Sequence, residues 1–268
     1  MTAPAMALGM TARARPAGFA RDLFTVAGRA LRGVPREPEF MAPALVIPVF
    51  FYVVNVAALS KVTERAAGLD FEAFQLPVAV VFAVTGISRA STLVTDIQGG
   101  YFDRLCVTPV RRLALLLGLM VADIATVIGL TIPVVILGFI YGVRFETGVL
   151  GILLFMLLGG LWGLAFTGFP YAIALKTGNP AAVNSSFLLF FPFAFLTTSF
   201  VPKEALTGWM QTAATYNPVT YLLSGERALI SDGWVASDIL GAVVAIAAVG
   251  VVGLTVALAA LRGRVKPS

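Results

Sequence analysis

The sequence predicts an all-α polytopic membrane protein, and three observations carry that prediction. Of its 268 residues, 59% are hydrophobic and only 12% charged, against roughly a quarter charged in ordinary soluble domains. Mean hydropathy is +0.92. The apolar residues gather into six runs, at 41–59, 76–95, 113–141, 149–175, 187–201 and 239–261. These meet or approach the roughly 20 residues that a helix needs to cross a bilayer core.

Residues 1–17 are Ala- and Arg-rich and are read as disordered. No cleavable leader is read, because the first apolar run begins only near residue 41, behind six arginines. Residues 18–38 form an amphipathic helix. At about 100° per residue, Arg21, Arg29, Arg32 and Arg36 fall on one side and Phe19, Leu23, Val26, Ala27, Ala30 and Val34 on the other. Two readings fit: a helix lying on the cytoplasmic leaflet with its basic face toward anionic lipid, or one docked on a partner.

The six runs make up a transmembrane domain over 39–262, followed by a short tail at 263–268. Counting Lys and Arg outside the runs, and taking both termini on one side, that side carries thirteen and the other five. The positive-inside rule then places both termini in the cytoplasm, and with them the loop at 96–112. The net charge of +5 reads as this orientation signal, since the basic residues lie beside apolar runs and form no aromatic-laced patch for nucleic acid.

The fifth run is short and contains Pro192. The external segment that follows it, 202–238, has apolar residues at helical spacing on either side of Asn217-Pro218. It reads as a re-entrant pair of short helices, a candidate outer gate with Trp209, Asn217 and Pro218, or as two helices lying flat on the outer surface. Glycines at 118, 129, 138, 142, 159, 160, 163 and 168 mark close helix packing.

Several kinds of chemistry are excluded. The chain has no histidine and one cysteine, Cys106, so it offers no His-built metal site, Ser-His-Asp triad, Cys-His pair or internal disulfide. It lacks the Gly-x-x-x-x-Gly-Lys-Ser/Thr loop that cradles nucleotide phosphates. Inside the runs the ionisable residues are Asp123 and Arg89. Asp123 lies deep enough to need a partner, Arg89 or an arginine of the preceding loop, and structural pairing, a gating role and a proton relay all remain open. By contrast, the loop at 96–112 is rich in grip. Tyr101, Phe102 and Leu105 stand beside Asp103 and Arg104 and are stopped by Pro109, which suits either a partner's groove or an interfacial anchor.

The order of these features resembles the permease subunit of type-2 ABC exporters, the ABC-2 family. The match is sharpest in Asp96-x-x-x-Gly100-x-x-Asp103-Arg104-Leu105, Thr108-Pro109-Val110-x-Arg112 and Gly118-x-x-x-Ala122-Asp123. It continues in Phe200-Val201-Pro202, Leu206-x-x-Trp209, Asn217-Pro218-Val219-Thr220 and Arg227-Ala228-Leu229, similar to the daunorubicin-resistance branch. The resemblance covers about residues 18–261.

It implies a bacterial cytoplasmic-membrane exporter of two permease chains, expected to be identical, and two ATPase chains that bind ATP and Mg. No cofactor is expected on this chain. The contact with the ATPase would fall to Gly100, Tyr101, Phe102, Arg104, Leu105 and Pro109, with Gly99-Gly100 shortening the coupling helix. Cargo would pass where the first and fifth spans of two permeases meet, along Phe50, Phe51, Tyr52, Asn55, Phe191, Phe195, Thr197 and Thr198, a lining that suits a hydrophobic or amphiphilic drug-like molecule. The same aromatics could instead face lipid. Export of a lipid-linked glycan by the same architecture is the nearest alternative, and a stand-alone carrier or channel a more distant one. A membrane enzyme lacks convergent acids, a nucleophile or metal ligands.

Overall fold

The computed structural model describes residues 18–33, 38–85, 88–100 and 112–265, and every regular element among them is helical. The expected disordered N-terminus and residues 266–268 of the tail lie outside the described residues. So do Tyr101, Phe102, Arg104, Leu105 and Pro109 of the expected coupling contact.

Helix α1 (Phe19–Gly33) starts after Gly18, whose φ of +91° suits a residue without a Cβ. Its small-residue face is buried at Ala27 and Ala30, whereas Phe24 is exposed. That face docks on the bundle itself. A Cβ added at Gly118 would come within 2.8 Å of the Val26 Cβ and 2.9 Å of the Leu23 carbonyl oxygen.

Helix α2 (Pro38–Ala67) is longer than the run that predicts it and tolerates Pro43 and Pro48 within it. The second expected span is not one helix. It divides into α3 (Phe71–Thr85) and α4 (Ala90–Gln98), with Ser88 and Arg89 in neither. Helix α3 is buried on nearly every side and shows no amphipathic pattern, as an all-round apolar sequence dictates for a central helix. Helices α5 (Arg112–Ile140) and α6 (Gly148–Thr177) pack against it and against each other.

The fifth expected span also departs from expectation. Helix α7 (Pro180–Ser185), capped by the Asn179 side chain, a 3-10 turn at Ser186–Leu189 and α8 (Phe190–Phe195) make one apolar stretch, Pro180–Phe195. It begins and ends earlier than the predicted 187–201. Residues 196–201 form no helix, and they include two threonines and a serine, whose hydroxyls compete for backbone partners.

Beyond them, α9 (Gly208–Tyr216) and α10 (Pro218–Arg227) meet at Asn217. The two differ in burial. Trp209 and Tyr216 of α9 are exposed, while Val219, Leu222, Leu223 and Glu226 of α10 are buried in the bundle. A π-turn at Ala228–Asp232 leads to α11 (Ala236–Val265), which runs along α6 and α10.

Five helices are thus long and apolar enough to cross a membrane among the described residues, α3 and α4 counting as one, and Pro180–Phe195 is a shorter sixth. Most of the expected glycine contacts are close ones. A Cβ at Gly168 would fall 2.2 Å from the Gly253 backbone where α6 crosses α11, whereas Gly129 meets nothing within 4 Å and Gly142 (φ +94°) serves a turn. Two cores result. One, toward α10, centres on Trp162, Phe155, Phe190 and Leu222; the other, toward α1, on Leu93, Leu119, Tyr171 and Leu175. The perimeter is apolar at Val46, Ile47, Phe50, Leu150, Leu153, Val244 and Val251, a surface suited to lipid.

Candidate functional site

Two cavities lie along the inner side of α2, one above the other. The one toward α1 measures about 290 Å³ and is walled by Ile47, Pro48, Phe82 and Phe187, with hydroxyls from Thr85, Ser88, Ser91 and Ser186. Ser91 Oγ donates to Asn184 Oδ1 at 3.1 Å on the same wall. The cavity toward α10 is smaller, about 30 Å³, and lies among Phe51, Tyr52, Asn55, Gln75, Phe195 and Phe200. Pro48 and Phe82 line both. Phe82 stands between them in an aromatic cluster, stacked on Phe51 (centroids 6.5 Å apart, planes 16°) and edge-on to Phe190 (5.5 Å) and Phe195 (6.3 Å).

The structure therefore brings together Phe51, Tyr52, Asn55 and Phe195 of the residues that the sequence nominates for the pathway. Tyr52 is fixed by donating its hydroxyl proton to the Glu72 carbonyl oxygen at 3.1 Å, and Asn55 Nδ2 is spent on the Phe51 carbonyl at 2.8 Å. Phe191 stacks behind Phe195 at 5.6 Å, and Phe50 points outward, 62% exposed. Thr197 and Thr198 line neither cavity. They tie 196–201 to α10, Thr197 through a 2.6 Å hydroxyl pair with Thr220 and Thr198 by accepting from Arg227. Gln75, Phe82 and Phe200 were missed; Gln75 had a sequence signal, an amide directly abutting the apolar run at 76–95.

Of the gate residues, Asn217 and Pro218 sit at a built joint. Asn217 Oδ1 accepts from the Val219 N–H and so caps α10, while Nδ2 donates to the carbonyls of Phe193 (2.6 Å) and Leu196 (2.7 Å). Pro218 takes the first helical position, where its missing N–H costs nothing. Trp209 stands apart, 71% exposed. Arg227 carries more of the joint than the sequence suggests. Its Nε donates to the Phe74 carbonyl, its Nη1 and Nη2 to Thr198, and its guanidinium lies 3.4 Å over the Phe74 ring. Beside it, Glu226 is fully buried and neither carboxyl oxygen has a hydrogen-bond partner.

The buried charge at Asp123 is partnered differently from expectation. Asp123 Oδ1 accepts the backbone N–H of Arg89 at 3.0 Å, and Oδ2 accepts the Tyr171 hydroxyl at 2.7 Å. Arg89 thus contributes its main chain where an ion pair was expected, and Tyr171 was not foreseen. Ser88 Oγ accepts the next N–H, that of Ala90. Together these acceptors satisfy the exposed donors at the start of α4, inside the bundle. At the far end of α4, Asp96 pairs with Arg29 of α1 at 2.7 Å and Gly100 turns with φ +68°. No group of three or more potential metal ligands exists among the described residues.

The sequence model of the ABC-2 type transporter family matches residues 21–230, about three quarters of the chain. The chain belongs to the ABC-2 type transporter family. It is 27% identical over 209 residues to the daunorubicin resistance ABC transporter permease protein DrrB1 of Streptomyces coeruleorubidus, covering 75% of this chain and 72% of that protein. It is also 28% identical over 238 residues to the probable doxorubicin resistance ABC transporter permease protein DrrC of Mycobacterium tuberculosis, covering 87% of this chain and 80% of the relative. This ABC-2 chain is accordingly a multi-pass membrane component of an ABC transporter and not itself an enzyme. Family membership implies an ABC ATPase as its partner.

Proposed function

We propose that the chain is the permease subunit of a type-2 exporter that moves a hydrophobic or amphiphilic drug-like molecule outward across the bacterial cytoplasmic membrane. The observation that carries this reading is the pair of cavities meeting at Phe82, a larger one of about 290 Å³ on the α1 side and a smaller one of about 30 Å³ on the α10 side. Their walls are aromatic and aliphatic with a few uncharged polar groups, which suits a lipophilic cargo. The names of the relatives, which speak of resistance to daunorubicin and doxorubicin, fit such a cargo.

In this reading both termini are cytoplasmic and the chain crosses six times. Pro180–Phe195 covers about 24 Å at 1.5 Å per residue, and residues 196–201 complete the fifth crossing. Two permease chains meet across the exposed faces of α2 and α8, where Phe50 and Phe193 project. Two ATPase copies bind ATP and Mg and grip Gly100, Tyr101, Phe102, Arg104, Leu105 and Pro109. ATP-driven closure of the ATPases pushes on α4, whose start is held by Asp123 and whose end is tied to α1 by Arg29. That push shifts the population from a cleft open toward α1 to one open toward α10. Replacing Phe102 and Leu105 together by Asp is expected to abolish co-purification of the ATPase while leaving membrane insertion intact. Normal co-purification would overturn the coupling assignment.

A further inference from the structure

The α10-side cavity contains a polar group with nothing to do. Gln75 lies on the innermost helix of the bundle, is 3% exposed, lines the cavity, and its Nε2 has no hydrogen-bond partner. Burying an unpaired amide is unfavourable, and the neighbouring positions of α3 are filled with Phe74, Leu76, Val78 and Ala79, all buried. An aliphatic side chain would pack there without that cost. The rest of the wall does not use the amide: Tyr52 donates to Glu72 and Asn55 to Phe51.

The surroundings narrow what the amide is for. Phe51, Phe82 and Phe195 line the same cavity and supply aromatic surface for stacking. Among the described residues, no Asp, Glu, Lys or Arg lines either cavity. An acceptor oxygen would meet two free N–H bonds.

We propose that Gln75 is a specificity-determining hydrogen-bond donor for the cargo. It recognises a carbonyl-type oxygen on the edge of a planar aromatic compound held between Phe51, Phe82 and Phe195. This rests on the exporter reading above and adds to it a site and a chemical class. In this structure the space of about 30 Å³ admits one water; widening of the cleft lets the cargo oxygen take that place. Cargo without an acceptor leaves the donor unpaired and is discriminated against, as sites built around a buried polar group do.

The test compares 9-fluorenone with fluorene, which share a ring skeleton and differ in one carbonyl, as stimulators of the ATPase–permease complex in nanodiscs. For the wild type, fluorenone is expected to reach half-maximal stimulation at roughly three- to tenfold lower concentration, the worth of one neutral hydrogen bond. Gln75→Met, which keeps the shape and removes the donor, should abolish the difference between the two compounds, raising the fluorenone value and leaving that of fluorene unchanged or lower. Gln75→Asn should fall between and guards against a variant that merely packs badly. The inference is overturned if Gln75→Met shifts both compounds equally or neither, or if the wild type responds to neither while still exporting doxorubicin. Failure of the chain to associate with any ATPase, or of the complex to export any lipophilic probe, would instead overturn the exporter reading itself, and this inference with it.

Discussion

Asn217 shows how much one side chain decides in this chain. With one acceptor and two donor bonds it caps α10 and fastens it to the last turn of α8. Asn217→Ala removes the cap and leaves two carbonyls unpaired, an expected loss of roughly 2–4 kcal/mol. Thermal denaturation of the detergent-solubilised protein measures it; an unchanged midpoint would mean the joint is not what holds α10 in. Asn217→Ser, which keeps a capping oxygen but cannot reach the carbonyls, should lose less. The importance of this residue was legible as Asn217-Pro218, a helix-starting pair. The roles of Arg227 and Tyr171 were not, because each acts through a partner far away in sequence: Arg227 through Phe74 and Thr198, Tyr171 through Asp123. Side-chain chemistry showed that Asp123 needed a partner, and no spacing rule could say which one.

At the scale of helices, composition and periodicity told most of the story where an element was long. The runs behind α2, α5, α6 and α11 are all realised as helices, three of which outlast their apolar stretches while α5 matches its run to within a residue. Breaks inside apolar sequence were harder to see. The division of α3 from α4 is stabilised by an acceptor on α5 and by Ser88, a tertiary effect that the polar stretch from Thr85 to Ser91 signalled only as a charge within a run. The early end of α8 left only the Thr197-Thr198-Ser199 run as a signal. Glycine contacts distinguish positions that look alike in sequence. Gly168→Val is expected to drive α6 and α11 apart and abolish accumulation of folded protein, since its Cβ would overlap the Gly253 backbone. Gly129→Ala, with open space around it, should be neutral or stabilising by up to about 1 kcal/mol through helix propensity. Expression and melting of the two variants side by side measure the contrast, and equal behaviour would contradict the packing described.

For the whole molecule, the absence of a nucleotide-binding loop and the scarcity of intramembrane charge pointed outward, to an engine on another chain. The fold gives that argument a mechanical form. A short helix, α4, is held at one end beside the α1-side cavity and at the other leads into the segment expected to meet the ATPase. A larger cavity toward α1 and a smaller one toward α10 share Phe82 as a wall, so a shift at that ring would change both at once. The central claim is that ATP hydrolysed elsewhere drives a lipophilic molecule through this chain. Uptake of doxorubicin into inside-out proteoliposomes carrying the permease with its ATPase tests it most directly. The account predicts accumulation that requires ATP and both proteins and is lost in the Phe102→Asp, Leu105→Asp double variant. Equal uptake without the ATPase, or with the double variant, would contradict it.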